Sequence, residues 1–573
     1  MVFSTSIFIY LFLPITLLIY YIAPKKSKNF IILLSGLVFY SWGEPIYVVV
    51  MLISTMIDYF AGLAMNHFEG KKLPRKLCLI VSVVMNLGLL GVFKYSGFIA
   101  ENINAIAGSQ IIDINNMNFF GIDFLPMNML PIGISFFTFQ SMSYTIDLYM
   151  GNVKVQKNPI SFAAFVTLFP QIVAGPIVRY DDVAKELDDR TITLDLIYDG
   201  IIRFIIGLSK KVLIANSIGA LWTAVKSTDI SQVSVVSSWL GILAFTFQIY
   251  FDFSGYSDMA IGLGKMMGFH FPENFNYPYL SKSISEFWRR WHITLGSWFK
   301  SYVYFPLGGN RKGMPRTIMN LAITWFLTGV WHGASWNFIL WGSLYGVVII
   351  LEKLFLGKWL QKIPAVFCHI YTMLLVILGW VLFDTADLPT AFAYAANMFG
   401  AGGTPFIDST AMYQIATYGI TFIICIIGCT NLPKLAVEYL KKNGLYENTI
   451  IVYMGDQGFF LGEHGLYDKR WMYEESLQMP CLISYPGHIP EGQRLKNLTL
   501  NVDIAPTLLN YAGVKIPSDM QGVSMKGLLE GDKSVEKNWR KSAYYQYFEY
   551  PKWHNVQPHY GVRTDRYKLI HFY

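Results

Sequence analysis

Two histidines sit where polar side chains are scarce. His332 lies about fifteen residues into the apolar run NLAITWFLTGVWHGASWNFILWG, flanked by Trp331 and Trp336, and His292 lies forty residues earlier, after Glu286, Arg289 and Arg290. At 1.5 Å of rise per residue, His332 is expected roughly 20 Å along a helix, near the middle of a bilayer. Asp252 and Asp258 interrupt another apolar run, FDFSGYSDMAIGLG, and Asn337 follows His332 closely. An ionisable group inside a bilayer costs several kcal/mol, so each is a candidate for function. A neutral imidazole there could take a proton from a hydroxyl acceptor. The residues alone also allow a structural reading, in which a buried His is satisfied by its neighbours, Arg289 and Arg290 are interfacial anchors, and Asp252 pairs with one of them.

Long apolar elements must position these groups. Of 573 residues, 53% are hydrophobic and only 14% charged, with a mean hydropathy of +0.38. A soluble domain carries roughly 25% charged residues, so a disordered chain, a disulfide scaffold and an ordinary soluble enzyme are excluded. The net charge of +7 sits in short clusters between apolar runs and does not indicate nucleic acid. Runs of near membrane-spanning length occur at 7–23, 30–43, 46–66, 77–100, 131–150, 197–219, 235–264, 317–350, 366–384 and 411–431. The basic clusters 25–28, 71–76 and 154–157 alternate with 43–45 and with 101–130, which holds no Lys or Arg. By positive-inside bias the clusters are cytoplasmic and the N-terminus is outside. The stretch 160–178 carries Pro170, Gly175 and Pro176, which predicts a broken or re-entrant segment. Beyond about residue 432 the composition changes: charged residues make up about 12% of 1–432 and about 23% of 433–573. That shift predicts a membrane domain over 1–432 and a soluble domain over 433–573.

The segments LPIGISFFTFQSMSYTIDLY, FPQIVAGPIVRY, FDFSGYSDMAIG, FWRRWHITL and LTGVWHGASWNFILWG together resemble the membrane-bound O-acyltransferase family, most closely its alginate O-acetyltransferase branch, relatives of the D-alanyl transfer protein of teichoic acid. The resemblance implies a mostly α polytopic fold, about ten or eleven spanning or re-entrant helices around a funnel. It places the family's essential His on His332 and a second His on His292; Asp252, Glu286, Arg289, Trp331 and Asn337 are read from their positions as supporting residues. It further implies a cytoplasmic acyl donor, acetyl-CoA or an acylated carrier, no tightly bound cofactor, and a glycan hydroxyl beyond a bacterial inner membrane.

In the tail, NTIIVYMGDQGFF reads as a strand ending in a Gly-Asp-Gln-Gly turn, and His464 and Lys469 follow. A carboxylate at a strand's C-terminal end suits a metal or substrate site, although a turn alone explains it equally. NTIIVYMGDQG, GEHGLYDKRWMYEES and VDIAPTLLNYAG resemble the C-terminal part of a type I sulfatase, a partial α/β fragment. That resemblance makes Asp456 and Gln457 calcium ligands and brings His464 and Lys469 to the sulfate. The C/S-x-P-x-R nucleophile motif of such enzymes occurs nowhere in the 573 residues, so the tail is expected to be inactive and its calcium site doubtful. The chain reads as a fusion of a membrane acyltransferase with a sulfatase fragment, the alternative being a tail that pairs with a separate sulfatase-like half. Expected partners are membrane lipid, a glycan acceptor and an extracytoplasmic helper protein, with no nucleic acid. Competing readings are a membrane-tethered sulfatase-like hydrolase, D-alanyl transfer to teichoic acid, and a transporter, for which no internal repeat is visible.

Overall fold

Helices supply all the regular structure described in the first of two units, Met1–Asn431, as an environment without water requires of an open backbone. The computed structural model describes residues 1–113, 131–455, 457–458, 460–461, 464, 466–550 and 556–573. In chain order the elements used below are α1 (Phe8–Ile22), α2 (Lys28–Gly43), α3 (Val48–His67), α4 (Lys72–Ala107), α5 (Ile134–Met150), α6 (Pro159–Val166), α7 (Phe169–Ile172), α8 (Tyr180–Asp188), α9 (Leu194–Lys226), α10 (Val235–Met266), α11 (Ile284–Arg290), α12 (Ile293–Phe299), α13 (Gly313–His332), α14 (Trp336–Leu360), α15 (Ala365–Asp384) and α16 (Ser409–Gly428). Among the described residues seven helices are long and apolar enough to cross a membrane: α3, α4, α9, α10, α14, α15 and α16. The protein is a multi-pass membrane protein. The acidic loop expected over 101–130 lies outside the described residues from 114 onward.

The broken stretch is found as expected. α6 and α7 are short, separated at Thr167–Leu168, and almost wholly buried among α2, α3 and α5. Two neighbouring helices, α9 and α10, approach backbone to backbone: a Cβ at Gly207 would stand 2.4 Å from the carbonyl oxygen of Gly255. Small residues permit that approach. Across the same interface Asp258 accepts from Arg203 at 2.7 Å and Lys210 at 2.6 Å, which satisfies its buried carboxylate.

Three expectations are corrected. The run 317–350 is two helices rather than one, because Gly333 and Ser335 adopt extended backbone between α13 and α14. The pair then folds back tightly, and a Cβ at Gly342 would lie 2.6 Å from the Gly329 Cα. His332 is consequently the last residue of a helix, not a mid-helix residue. Asp252 pairs with Lys211 of α9 rather than with an arginine; Arg290 instead bonds Glu286 at 3.0 Å.

The second unit, Leu432–Tyr573, holds small antiparallel sheets. β1 (Ile451–Met454) pairs only with β4 (Cys481–Ser484) among the described residues, β2 (Phe460–Leu461) with β3 (Tyr467–Asp468), and β5 (Ser542–Tyr547), β6 (His559–Thr564) and β7 (Lys568–Phe572) form one sheet. Asp503, fully buried, is held by Arg540 through bonds of 2.6 and 2.7 Å. Burial alone would raise the Glu474 carboxyl, but Lys568 and Arg563 beside it reverse that and hold it below the ordinary carboxylate range.

Candidate active site

His292 occupies an unusual backbone position. It joins two short helices, α11 and α12 (the latter running on through a π-turn at Lys300–Tyr304), and carries φ 45° and ψ 53°, left-handed values that residues with a Cβ rarely adopt. Neither helix would persist alone at that length, so the surroundings must hold them. Ser283 Oγ accepts from the Glu286 N–H, and the buried Glu352 carboxylate accepts from the N–H groups of Ile284 and Ser285, both at 2.8 Å. The Ile293 N–H donates to the Asn274 carbonyl at 3.0 Å.

The Asn274 side chain then fixes the histidine's tautomer. Its Oδ1 accepts from the Thr294 N–H at 3.3 Å and the Thr294 hydroxyl at 2.9 Å, and its Nδ2 donates to Ser257 Oγ at 3.1 Å. Because that atom faces a backbone N–H it is the oxygen, so His292 Nδ1, 3.0 Å away, must be the donor. Nε2 is left with a lone pair, buried and without a hydrogen-bond partner.

His332 is set by a different device. The last carbonyls of a helix have no partner within it, and here α4 supplies them. Tyr95 donates its hydroxyl to the Val330 carbonyl, and Lys94 donates to the Trp331 carbonyl and, at 2.9 Å, to Ser135 Oγ. Lys94 belongs to a π-turn, Gly91–Tyr95, of the kind that often marks functional sites in helices. A cation at a helix C-terminus is also favoured by the dipole. The His332 ring meets Trp341 and Phe383 edge to face, with centroids 4.8 and 5.5 Å away, and its Nε2 is buried without a partner.

Both histidines, with Lys94, Ser135, Phe253 and Trp331, line a cavity of about 340 Å³. His292 also lines a second cavity of about 840 Å³, whose depth is apolar, with Trp288, Leu295, Leu321 and Trp325. Lys282, Arg289, Lys300 and Lys353 on its wall are exposed, while Glu286 is engaged by Arg290 and Glu352 caps α11. His292 therefore stands on the wall of both spaces. Of the residues singled out from sequence, His292, His332 and Trp331 share the smaller cavity, and Glu286 and Arg289 line the larger. Asp252 lines neither, and Asn337 donates to the Thr385 carbonyl at 2.9 Å, tying α14 to the end of α15. Lys94 and Asn274 were missed.

Residues 138–385 match the membrane-bound O-acyltransferase family model. Over 430 residues the chain is 40% identical to the probable alginate O-acetylase AlgI of Azotobacter vinelandii, covering 74% of this chain and 84% of that relative. The chain belongs to the membrane-bound O-acyltransferase family. It is an O-acyltransferase. A peptidoglycan O-acetyltransferase of Helicobacter pylori is 32% identical over 499 residues, covering 78% of this chain and 91% of the relative. The acyltransferase's tail matches a different model, N-sulphoglucosamine sulphohydrolase, C-terminal, over residues 462–573. It is 56% identical over 143 residues to an N-acetylglucosamine-6-O-sulfatase of Bacteroides thetaiotaomicron, spanning only 25% of that relative.

Among the described residues, the tail's candidates make only local contacts. His464 Nε2 lies 3.3 Å from Glu475 Oε1 and its ring stacks on Tyr473. Gln457 Nε2 donates to the Lys469 backbone carbonyl at 3.4 Å, and Asp456 lies outside the described residues. Calcium takes six to eight oxygen ligands, and among the described residues no cluster of three or more His, Cys, Asp or Glu is present.

Proposed function

We propose that the acyltransferase moves an acetyl group from a cytoplasmic donor, acetyl-CoA or an acylated carrier, to a hydroxyl of an extracytoplasmic polysaccharide, from the inner membrane of a bacterium. The observation that carries this is the position of His292 on the wall of two cavities, one with a basic rim and an apolar depth, the other holding His332. The exposed cations suit the phosphates of a coenzyme or carrier arm, and the apolar depth suits its thioester end. The acceptor hydroxyl enters beside His332. Its oxygen attacks the acyl carbon, the new C–O bond forms, and the C–S bond breaks. His332 Nε2 takes the hydroxyl proton and returns it to the departing thiolate. His292, its lone pair fixed by Asn274, accepts a hydrogen bond from substrate where the two spaces meet. Acetyl and a polysaccharide acceptor are favoured because the relatives named above are O-acetylating enzymes of alginate and peptidoglycan. A helper protein beyond the membrane would deliver or retain the glycan. The test is acyl-donor turnover by the purified full chain with candidate glycans supplied. Arg289→Glu together with Lys353→Glu should raise the donor KM about tenfold or more, two reversed charges near a polyanion outweighing screening, while kcat stays within twofold. An unchanged KM would remove the basic rim from donor binding.

The sulfatase-like tail is proposed to be inactive. Tyr453 and Leu482, on the paired β1 and β4, are 60% and 66% exposed. Such apolar strands are ordinarily covered. With no activated nucleophile there is no covalent route to cleave a sulfate ester. The full chain should release no sulfate from an aryl sulfate, with or without calcium, and a chain truncated after Leu435 should retain wild-type acyl transfer. Sulfate release dependent on His464 would overturn this.

A further inference from the structure

A third cavity, of about 380 Å³, lies away from both histidines. Lys25, Lys26, Lys28 and Arg190 line it, together with Asn29, Asn158 and Ser161, against one acid, Asp188. Asp188 is already bonded by Gln156 Nε2 at 3.2 Å, and Lys25 pairs with Asp189 at the exposed rim. Arg190 is built in rather than draped over the surface. Its Nε donates to the Tyr20 hydroxyl at 2.7 Å, and its Nη1 donates to Asn29 Oδ1 at 2.7 Å and to the Glu186 carbonyl at 3.0 Å. Its guanidinium lies over the Phe269 ring, 4.7 Å from the centroid, and its Nη2 is buried with no partner. Lys28 is held over the Tyr20 ring at 4.5 Å. Even with Lys25 paired to Asp189, Lys26, Lys28 and Arg190 face a single, already engaged carboxylate, and one guanidinium nitrogen is unsatisfied, which describes a receptor for an anion.

We propose that this cavity binds the phosphate of an anionic glycerophospholipid headgroup. The cavity's position selects a lipid. Lys25 and Lys26 follow the end of α1, and Leu11, Ile15, Leu18 and Ile22 of that helix are exposed at spacings of four, three and four, a lipid-facing stripe leading to the cavity. By the charge bias this end is the cytoplasmic one, where anionic lipids attract juxtamembrane lysines. The bound phosphate would tie the start of α2 to Arg190, beyond α8, and would leave acyl transfer chemistry untouched. This inference does not rest on the reading of the two histidine cavities.

The test uses the delipidated full chain in detergent, titrated with phosphatidylglycerol, phosphatidylcholine or inorganic phosphate while the melting temperature is followed. A ligand that binds only the folded protein raises it. Phosphatidylglycerol should raise it and phosphatidylcholine should not. Lys26→Gln with Lys28→Gln should weaken the phosphatidylglycerol response by about 30-fold, roughly a factor of five for each lysine near an anionic surface, whereas Lys26→Arg with Lys28→Arg should preserve it. If the glutamine pair does not fold, Lys26→Gln alone should weaken the response about fivefold. An equal response to phosphatidylcholine, or a lysine-independent response, would overturn the site. The same shift from millimolar inorganic phosphate would overturn the lipid as its source.

Discussion

His332→Ala is expected to abolish acyl transfer while the protein still inserts and accumulates normally in the membrane. The expected loss is about 10²–10⁴ in kcat, the usual contribution of a positioned acid–base group. The ring packs among aromatic side chains, but its Nε2 makes no hydrogen bond that ties it into the fold. Its Nε2 has no protein partner, so truncation leaves no donor or acceptor stranded. Its contacts with Trp331, Trp341 and Phe383 are all edge to face, and the end of α13 is held by Lys94 and Tyr95 through the backbone of Trp331 and Val330 rather than through the imidazole. Activity and folding should therefore separate at this residue. The measurement is initial-rate transfer to a glycan acceptor, set beside the melting temperature and the membrane yield. Activity within threefold of wild type would remove His332 from the chemistry and shift the proton-accepting role to His292.

Much of this arrangement was legible from sequence, and the failures have physical causes. The principle that polar groups at membrane depth are costly points straight at His292 and His332, because each interrupts a strongly apolar or aromatic context. The same principle applied to residues 77–100 would have found Lys94, the lysine within that run, but the run was read from the charges flanking it. Small residues concealed the break after His332. Gly333, Ala334 and Ser335 do not lower hydropathy enough to divide 317–350, and only the close approach of Gly329 and Gly342 reveals two helices. Sequence separation does not choose a partner for Asp252, since Arg289 and Arg290 lie 37 and 38 residues after it and Lys211 lies 41 before it; the tight packing of α9 on α10 selects Lys211. Asn274 had no signal of its own. It sits in FPENFNYPYL, a Pro- and Asn-rich stretch that reads as turn chemistry, and its importance arises only when the chain returns at Thr294.

That return makes Asn274→Ala the second large effect expected. The substitution removes the acceptor shared by His292 Nδ1, the Thr294 N–H and the Thr294 hydroxyl. Once Nδ1 has no acceptor, nothing fixes the His292 tautomer, and Nε2 can carry the proton in place of the lone pair it holds now. Turnover should fall by about 10–100-fold, by analogy with the loss when the partner orienting a metal-ligating histidine is removed, with the donor KM within twofold because the basic rim is untouched. Some stability should also be lost, since buried donors left unpaired cost about 1–3 kcal/mol each. Asn274→Asp separates the two effects. A carboxylate still accepts from Nδ1 and from Thr294, and it can accept from the Ser257 hydroxyl where the amide now donates, but it buries a charge, so stability should fall while turnover recovers most of the deficit. If the aspartate and alanine variants lose turnover equally, Asn274 acts on the fold of the 274–294 segment alone. Recovery by aspartate, despite the charge it buries, would mean that the orientation of one imidazole controls the rate.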